Sequence, residues 1–236
     1  MALAAALSSA TLLLSAVFAA LVLRRWRDAR RPHQLLWGVA LMLFAAASAL
    51  EVQAALQGWT EAGYKAYFVT TAVMVGWMAA GTGFLLSRGL GRGFAAFVLV
   101  VGEAMLLLLL FTPADAARLA AANAAGEVPT RVFPGLALLH PLVDVPAALL
   151  LIASPLLAWR RTRAPHTLLI AAGALAFTVI HSLASGAQTG AVALSGADLF
   201  SAGSLVGLVL LFAGYAKSRE APPPAASDPA AVVALG

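Results

Sequence analysis

Seven stretches of this chain each run for about 20 mostly apolar residues, the length a helix needs to cross the hydrocarbon core of a bilayer. They cover residues 3–23, 35–56, 66–86, 94–112, 135–158, 167–187 and 198–216. A chain that is 62% hydrophobic and only 11% charged cannot cover itself with polar surface in water, where a domain carries roughly a quarter charged residues. In lipid it has no need to, provided its backbone hydrogen bonds close internally, as they do in a helix. The expected class is an all-α, polytopic membrane protein with seven transmembrane helices. The sixth segment ends in the polar stretch HSLASGAQTG, and the fourth is interrupted only by Glu103. There is no cysteine, which removes disulfides, thiolate metal sites and thiol catalysis together.

The basic residues set an expected orientation. One set of alternating loops holds Arg24, Arg25, Arg27, Arg30, Arg31, Arg88, Arg92, Arg160, Arg161, Arg163, Lys217 and Arg219, and the other holds only Lys65, Arg118 and Arg131. Cytoplasmic loops carry the basic excess, so the N-terminus is expected outside and the C-terminus inside. The first segment has no positive charge before it and RRWRDARR after it. That is the reverse of a cleaved signal peptide, so it is expected to stay as the first helix. Residues 1–219 would form one transmembrane domain, and 220–236, EAPPPAASDPAAVVALG, a disordered Pro/Ala-rich cytoplasmic tail. Arginine outnumbers lysine 13 to 2, a bias that fits a GC-rich bacterial genome and hence a bacterial inner membrane.

Two of the basic loops resemble each other. RRWRDARRPHQLL follows the first segment and RRTRAPHTLL the fifth, so that Pro32-His33 and Pro165-His166 open the next apolar runs. Segments 1–3 and 5–7 would then be parallel repeats joined by the fourth, a 3+1+3 plan of a kind found among transporters. Convergence is the competing explanation, because any helix entering from a basic loop favours proline in its first turn.

Charged groups inside membrane helices are costly and tend to be functional. Here they are Glu51, Glu103, His140, Asp144 and His181, with Asp198 at the outer end of the last helix. The expected orientation puts all but Glu103 towards the external side, in a shared polar pocket to which Trp77 could add a wall. His140 and Asp144 stand four apart in HPLVDVP, so they share a helix face, and the carboxylate can orient the imidazole. Pro141 and Pro146 would open that helix and offer bare carbonyls to a cavity. Glu103, ringed by Leu99, Leu106 and Leu107, is expected to face the bundle as a proton-relay group. Glu61, Asp115, Glu127 and Arg131 fall in external loops and are expected to be solvated. Gly203 and Gly207 form a GxxxG packing face. His140 and His181 are the candidates for a divalent metal or axial haem ligation, although neither sits in a signature such as HExxH.

Seven helices with an external N-terminus suggest a rhodopsin, but Lys65 and Lys217 lie in or beside loops, which excludes a retinal Schiff base. The His-rich metal set of ceramidase-like membrane hydrolases is missing, and so is the Pro-Gln pair of PQ-loop transporters. LLWGVALMLFAAASALEV, with Trp37 early and Glu51 late, followed by YKAYF at 64–68 and Trp77, resembles the seven-helix N-terminal sensor regions of bacterial histidine kinases. That resemblance covers the second and third segments best and the rest only in topology. It implies a sensor-like module which, with no output domain after Arg219, acts through a membrane or cytoplasmic partner protein. The expected function is a receptor-like or accessory module, not an enzyme, that binds a small ligand and sits in the lipid bilayer without contact to nucleic acid. A small transporter or ion pathway using Glu51, Glu103 and Asp144 is the alternative, and a metal- or haem-binding redox protein ranks third.

Overall fold

The computed structural model describes residues 2–129, 131–136, 139–187 and 196–220. The proposed tail beyond Glu220 lies outside them, as do the side chains at 134, 178, 180–187, 196–197 and 219–220. Eight α-helices and no strand are found among the described residues: α1 (Ala2–Ala29), α2 (Pro32–Gln57), α3 (Glu61–Leu86), α4 (Arg88–Phe111), α5 (Ala116–Ala125), α6 (Leu139–Thr162), α7 (Pro165–Ala187) and α8 (Gly196–Glu220). Six of them are long and apolar enough to cross a membrane, namely α1, α2, α3, α4, α6 and residues 198–218 of α8. The fold is thus a helical bundle of membrane character. Each of the seven sequence segments falls within or largely overlaps one long helix. The eighth, α5, is short and arises inside an expected loop.

Local chemistry fixes the helix ends. The side chains of Thr60, Ser87 and Asp115 accept hydrogen bonds from the backbone N–H of Gly63, Leu90 and Arg118, each at 3.1 Å, which satisfies donors that a first turn leaves orphaned. Gly126 ends α5 in the left-handed conformation at φ 67°, where a Cβ would be strained. Pro32 opens α2 and Pro165 opens α7, a position at which the missing N–H costs nothing.

The long helices close into a ring in the order α1, α2, α3, α6, α7, α8 and back to α1, while α4 lies outside against α3 and the edge of α6. The ring has no hollow centre. Phe18, Leu41, Phe44, Met74 and Leu208 fill it, with Phe177, Leu211 and Phe212 packed around them. Small residues let the backbones approach. A Cβ on Gly76 would lie 2.7 Å from Val98 of α4 and 3.0 Å from Val143 of α6, and Gly207 of the GxxxG face lies against the Gly173 carbonyl of α7.

The basic-end turns between α1 and α2 and between α6 and α7 match in detail. Arg30 and Arg163 both take φ 53°. Each donates its N–H to a tryptophan carbonyl four residues back, Trp26 and Trp159, at 2.7 Å. Each guanidinium then folds over that same indole, at 4.9 and 4.8 Å. The offset of 133 positions that carries Arg30 to Arg163 also carries Pro32-His33 to Pro165-His166, Phe44 to Phe177 and Gly81 to Gly214. The matched pairs sit alike. Phe44 and Phe177 meet edge to face at 5.3 Å in the middle of the ring. A Cβ on Gly81 would lie 3.0 Å from the His33 carbonyl, and one on Gly214 would lie 2.9 Å from the His166 carbonyl.

Two expectations about single elements change. HPLVDVP is the start of α6, not a stretch within the span expected from 135, because a 3-10 turn at Pro134–Leu136 precedes a helix that begins at Leu139. Pro141 lies in the first described turn of α6, and position 137, one turn before it, lies outside the described residues. Glu103, expected to face the bundle, is exposed on the outer side of α4 together with Leu99, Leu106 and Leu107. A helix outside the ring turns most of its circumference away from the protein, and Glu103 falls on that part.

Candidate functional site

At the end of the bundle opposite the basic turns, the chain between α4 and α6 folds over α2 and α3 as a cap. Trp59, Tyr64, Tyr67, Val132, Phe133 and Leu136 pack there into one buried cluster with Leu109. The cap is pinned by polar contacts. Asn123 of α5 accepts from the Trp59 N–H at 2.6 Å and donates to the Trp59 carbonyl at 3.0 Å. Gly58 allows this approach, since its φ of 82° is one that side chains rarely adopt. The Tyr64 hydroxyl donates to the Pro129 carbonyl at 2.6 Å.

Beneath α5 lies a cavity of about 360 Å³ whose walls include Ser8, Glu51, Trp59, Asn123, Glu127 and Ser201. Glu51 comes from the last turns of α2 and is held from both sides. Ser8 of α1 donates to Oε2 at 2.7 Å, and Tyr67 of α3 donates to Oε1 at 3.1 Å. Ser8 also bonds Ser201 of α8 at 3.1 Å. One carboxylate thus joins four helices. Its oxygens have spare lone pairs, because an ionised carboxylate can accept about four hydrogen bonds.

A second polar group sits on the far side of α3. His140 Nδ1 lies 2.5 Å from Asp144 Oδ2, and His140 Nε2 lies 3.2 Å from the Thr71 hydroxyl. The Phe68 ring packs edge-on against the imidazole at 5.1 Å. Both ring nitrogens are engaged, and Asp144 Oδ1 is buried with no hydrogen-bond partner among the described residues. The i,i+4 spacing thus does join His140 and Asp144, but it does not bring them to Glu51. The two groups connect through α3 alone, and the link is not continuous. Thr71 donates to the backbone carbonyl of Tyr67 at 2.9 Å, and a carbonyl has no proton to pass on.

The other expected site residues divide. Asp198 occupies the first turn of α8, one turn before Ser201, at the same end as the cavity but outside its lining. Trp77 stands ten residues beyond Tyr67 on α3, about 15 Å along the axis, and does not line the cavity. The His181 side chain is outside the described residues. Glu127, expected in solvent, is instead part of the cavity wall. Pro141 and Pro146 line an apolar groove against Phe94 and Phe97 of α4, not a polar cavity. Sequence reasoning missed Ser8, Thr71 and Ser201 because a lone hydroxyl in an apolar helix resembles one that bonds its own backbone, as Ser15 does to Thr11. Tyr64, Tyr67 and Phe68 carried a readable signal, an aromatic face at helical spacing beside Trp59. No cluster of three or more His, Cys, Asp or Glu side chains occurs among the described residues. No family model, no curated protein and no solved structure matches the chain.

Proposed function

We propose that the chain is a receptor-like or accessory membrane module that binds a small ligand in the cavity beneath α5. The observation that carries this reading is Glu51, a carboxylate at a cavity wall whose two oxygens are bonded by α1 and α3, with α8 joined through Ser8. A ligand that displaced or drew on that carboxylate would act on four helices at once, which is what a receptor needs and a purely structural hydrogen bond does not. The proposed setting is a bacterial inner membrane with seven spans. In the orientation that the basic asymmetry supports, the cavity is proposed to face outside and both Arg30 and Arg163 the cytoplasm. The likeness of Trp37 and Glu51 to kinase sensor regions supports the same assignment, with signalling through a partner protein.

A second reading, a small transporter, is favoured by one observation. Helices α1–α3 and α6–α8 occupy matching places in the ring and begin from matching turns. We read them as copies of one three-helix unit joined by α4, and parallel repeats of this kind recur in transporters. The receptor reading ranks first because the cavity opens at one end and the central axis is filled by Phe44 and Phe177. Purified protein in liposomes decides between them. The receptor reading expects a ligand-dependent rise in melting temperature with no solute flux. Saturable, pH-dependent flux would establish the transporter instead.

A further inference from the structure

We infer that the cavity beneath α5 takes a small organic ammonium cation, with the charge of the ligand set against Glu51. The inference rests on the ligand-binding reading and names the class of ligand. Its basis is a census of what the walls can offer. Among the described residues, the cavity lining contains two carboxylates, Glu51 and Glu127, and no basic side chain. Two basic groups at that end are already held elsewhere, Lys65 by Glu61 at 2.8 Å and Arg118 by Asp115 at 3.2 Å. Arg131 is exposed on the cap and does not line the cavity.

Neutral donors in the lining are few as well. Both ends of the Asn123 amide are bound to the Trp59 backbone, and the Ser8 hydroxyl donates to Glu51. Apart from Gln57 at the exposed rim and the indole N–H of Trp59, the side chains that remain accept more than they donate. A ligand suited to such walls brings N–H or polarised C–H donors and positive charge. An anion would meet two carboxylates with no counter-charge. Trp59 adds an aromatic wall, the surface on which organic cations gain most. The cavity volume of about 360 Å³ falls at the small end of ligand sites. It exceeds what a bare metal ion needs, and a hard divalent ion would require six or more oxygen ligands.

The test uses the full chain in lipid nanodiscs and three probes of like size: choline, its neutral isostere 3,3-dimethyl-1-butanol, and the anion 3,3-dimethylbutyrate. Isothermal titration is expected to show choline binding at least tenfold more tightly than the neutral probe, with no binding of the anion. Added salt should weaken choline and leave the neutral probe unchanged. Glu51→Gln removes the charge, keeps an acceptor for one of the Ser8 and Tyr67 hydroxyls and turns an N–H to the other, and should bring choline down to the level of the neutral probe. The salt series keeps the question open to test if that variant misfolds. Equal affinity for choline and the alcohol, or a choline preference that survives Glu51→Gln, would overturn the cation inference and leave the ligand-binding reading standing. Absence of binding by all three probes would overturn both.

Discussion

The pair His140 and Asp144 shows what a single spacing can do. Asp144 both positions the imidazole and keeps its own Oδ1 buried without a partner among the described residues, so the pair is expected to fail as a unit. Asp144→Ala leaves Nδ1 of a partly buried imidazole unpaired, a loss of about 1–3 kcal/mol, and should lower the unfolding midpoint accordingly. Asp144→Asn still accepts a hydrogen bond and should cost less. In a double-mutant cycle, His140→Ala with Asp144→Ala should cost less than the sum of the two singles, and strict additivity would show that the residues act independently. The spacing made this pair legible from sequence, since four residues bring two side chains to one helix face. It could not reveal Thr71, which reaches His140 from 69 positions away. Glu51 was legible as a charge in an apolar helix, but its donors Ser8 and Tyr67 were not, because nothing in periodicity says which helices will be neighbours.

Among the elements, α5 was invisible in advance and α4 was misjudged, for opposite reasons. Helix α5 is short and amphipathic in no obvious way, and it is placed by the Asn123 clamp on Trp59 rather than by an apolar stripe. Asn123→Ala strands the Trp59 N–H and carbonyl. It should loosen the cap by about 1–3 kcal/mol, seen as faster hydrogen exchange across 112–129 with the membrane helices unchanged. Helix α4 is apolar nearly all round, so its sequence names no inner face, and the rule that charges point inward was applied to Glu103 without knowing that α4 stands outside the ring. Glu103→Leu should therefore leave stability within about 0.5 kcal/mol of wild type, as substitutions away from packed features do. A loss of several kcal/mol would return Glu103 to the interior. The existence of the seven long helices, by contrast, was legible, because a continuous apolar run of that length forms a helix in a membrane.

Across the whole molecule, the matching turns make a quantitative demand. Gly81→Val and Gly214→Val each drive a Cβ against a backbone carbonyl and a neighbouring side chain, Trp37 in one case and Ile170 in the other. Overpacking of this kind costs about 1–3 kcal/mol, and the two substitutions should fall within about 1 kcal/mol of each other. Gly89→Val and Gly93→Val on α4 should not share that penalty, since a Cβ at either position meets nothing within 4 Å. Thermal unfolding of the four variants separates the sets. Sequence revealed the correspondence only at Pro-His, because its stronger part lies in backbone angle and ring stacking, which a string of letters does not record.

Two seams close the ring between the matching halves, α1 against α8 and α3 against α6. The offset of 133 makes these seams counterparts, yet it sets Asp144 opposite Thr11, His140 opposite Leu7, Tyr67 opposite Phe200 and Thr71 opposite Ser204. One seam carries Ser8 and Ser201 beside Glu51, and the other carries Thr71, His140 and Asp144. Similar architecture with unequal chemistry behaves as a balance: an occupant weighing on one arm is measured against a counterpart arm that it does not touch. Spin labels placed across each seam should report a change in width at α1–α8 when choline binds, while the α3–α6 width holds still.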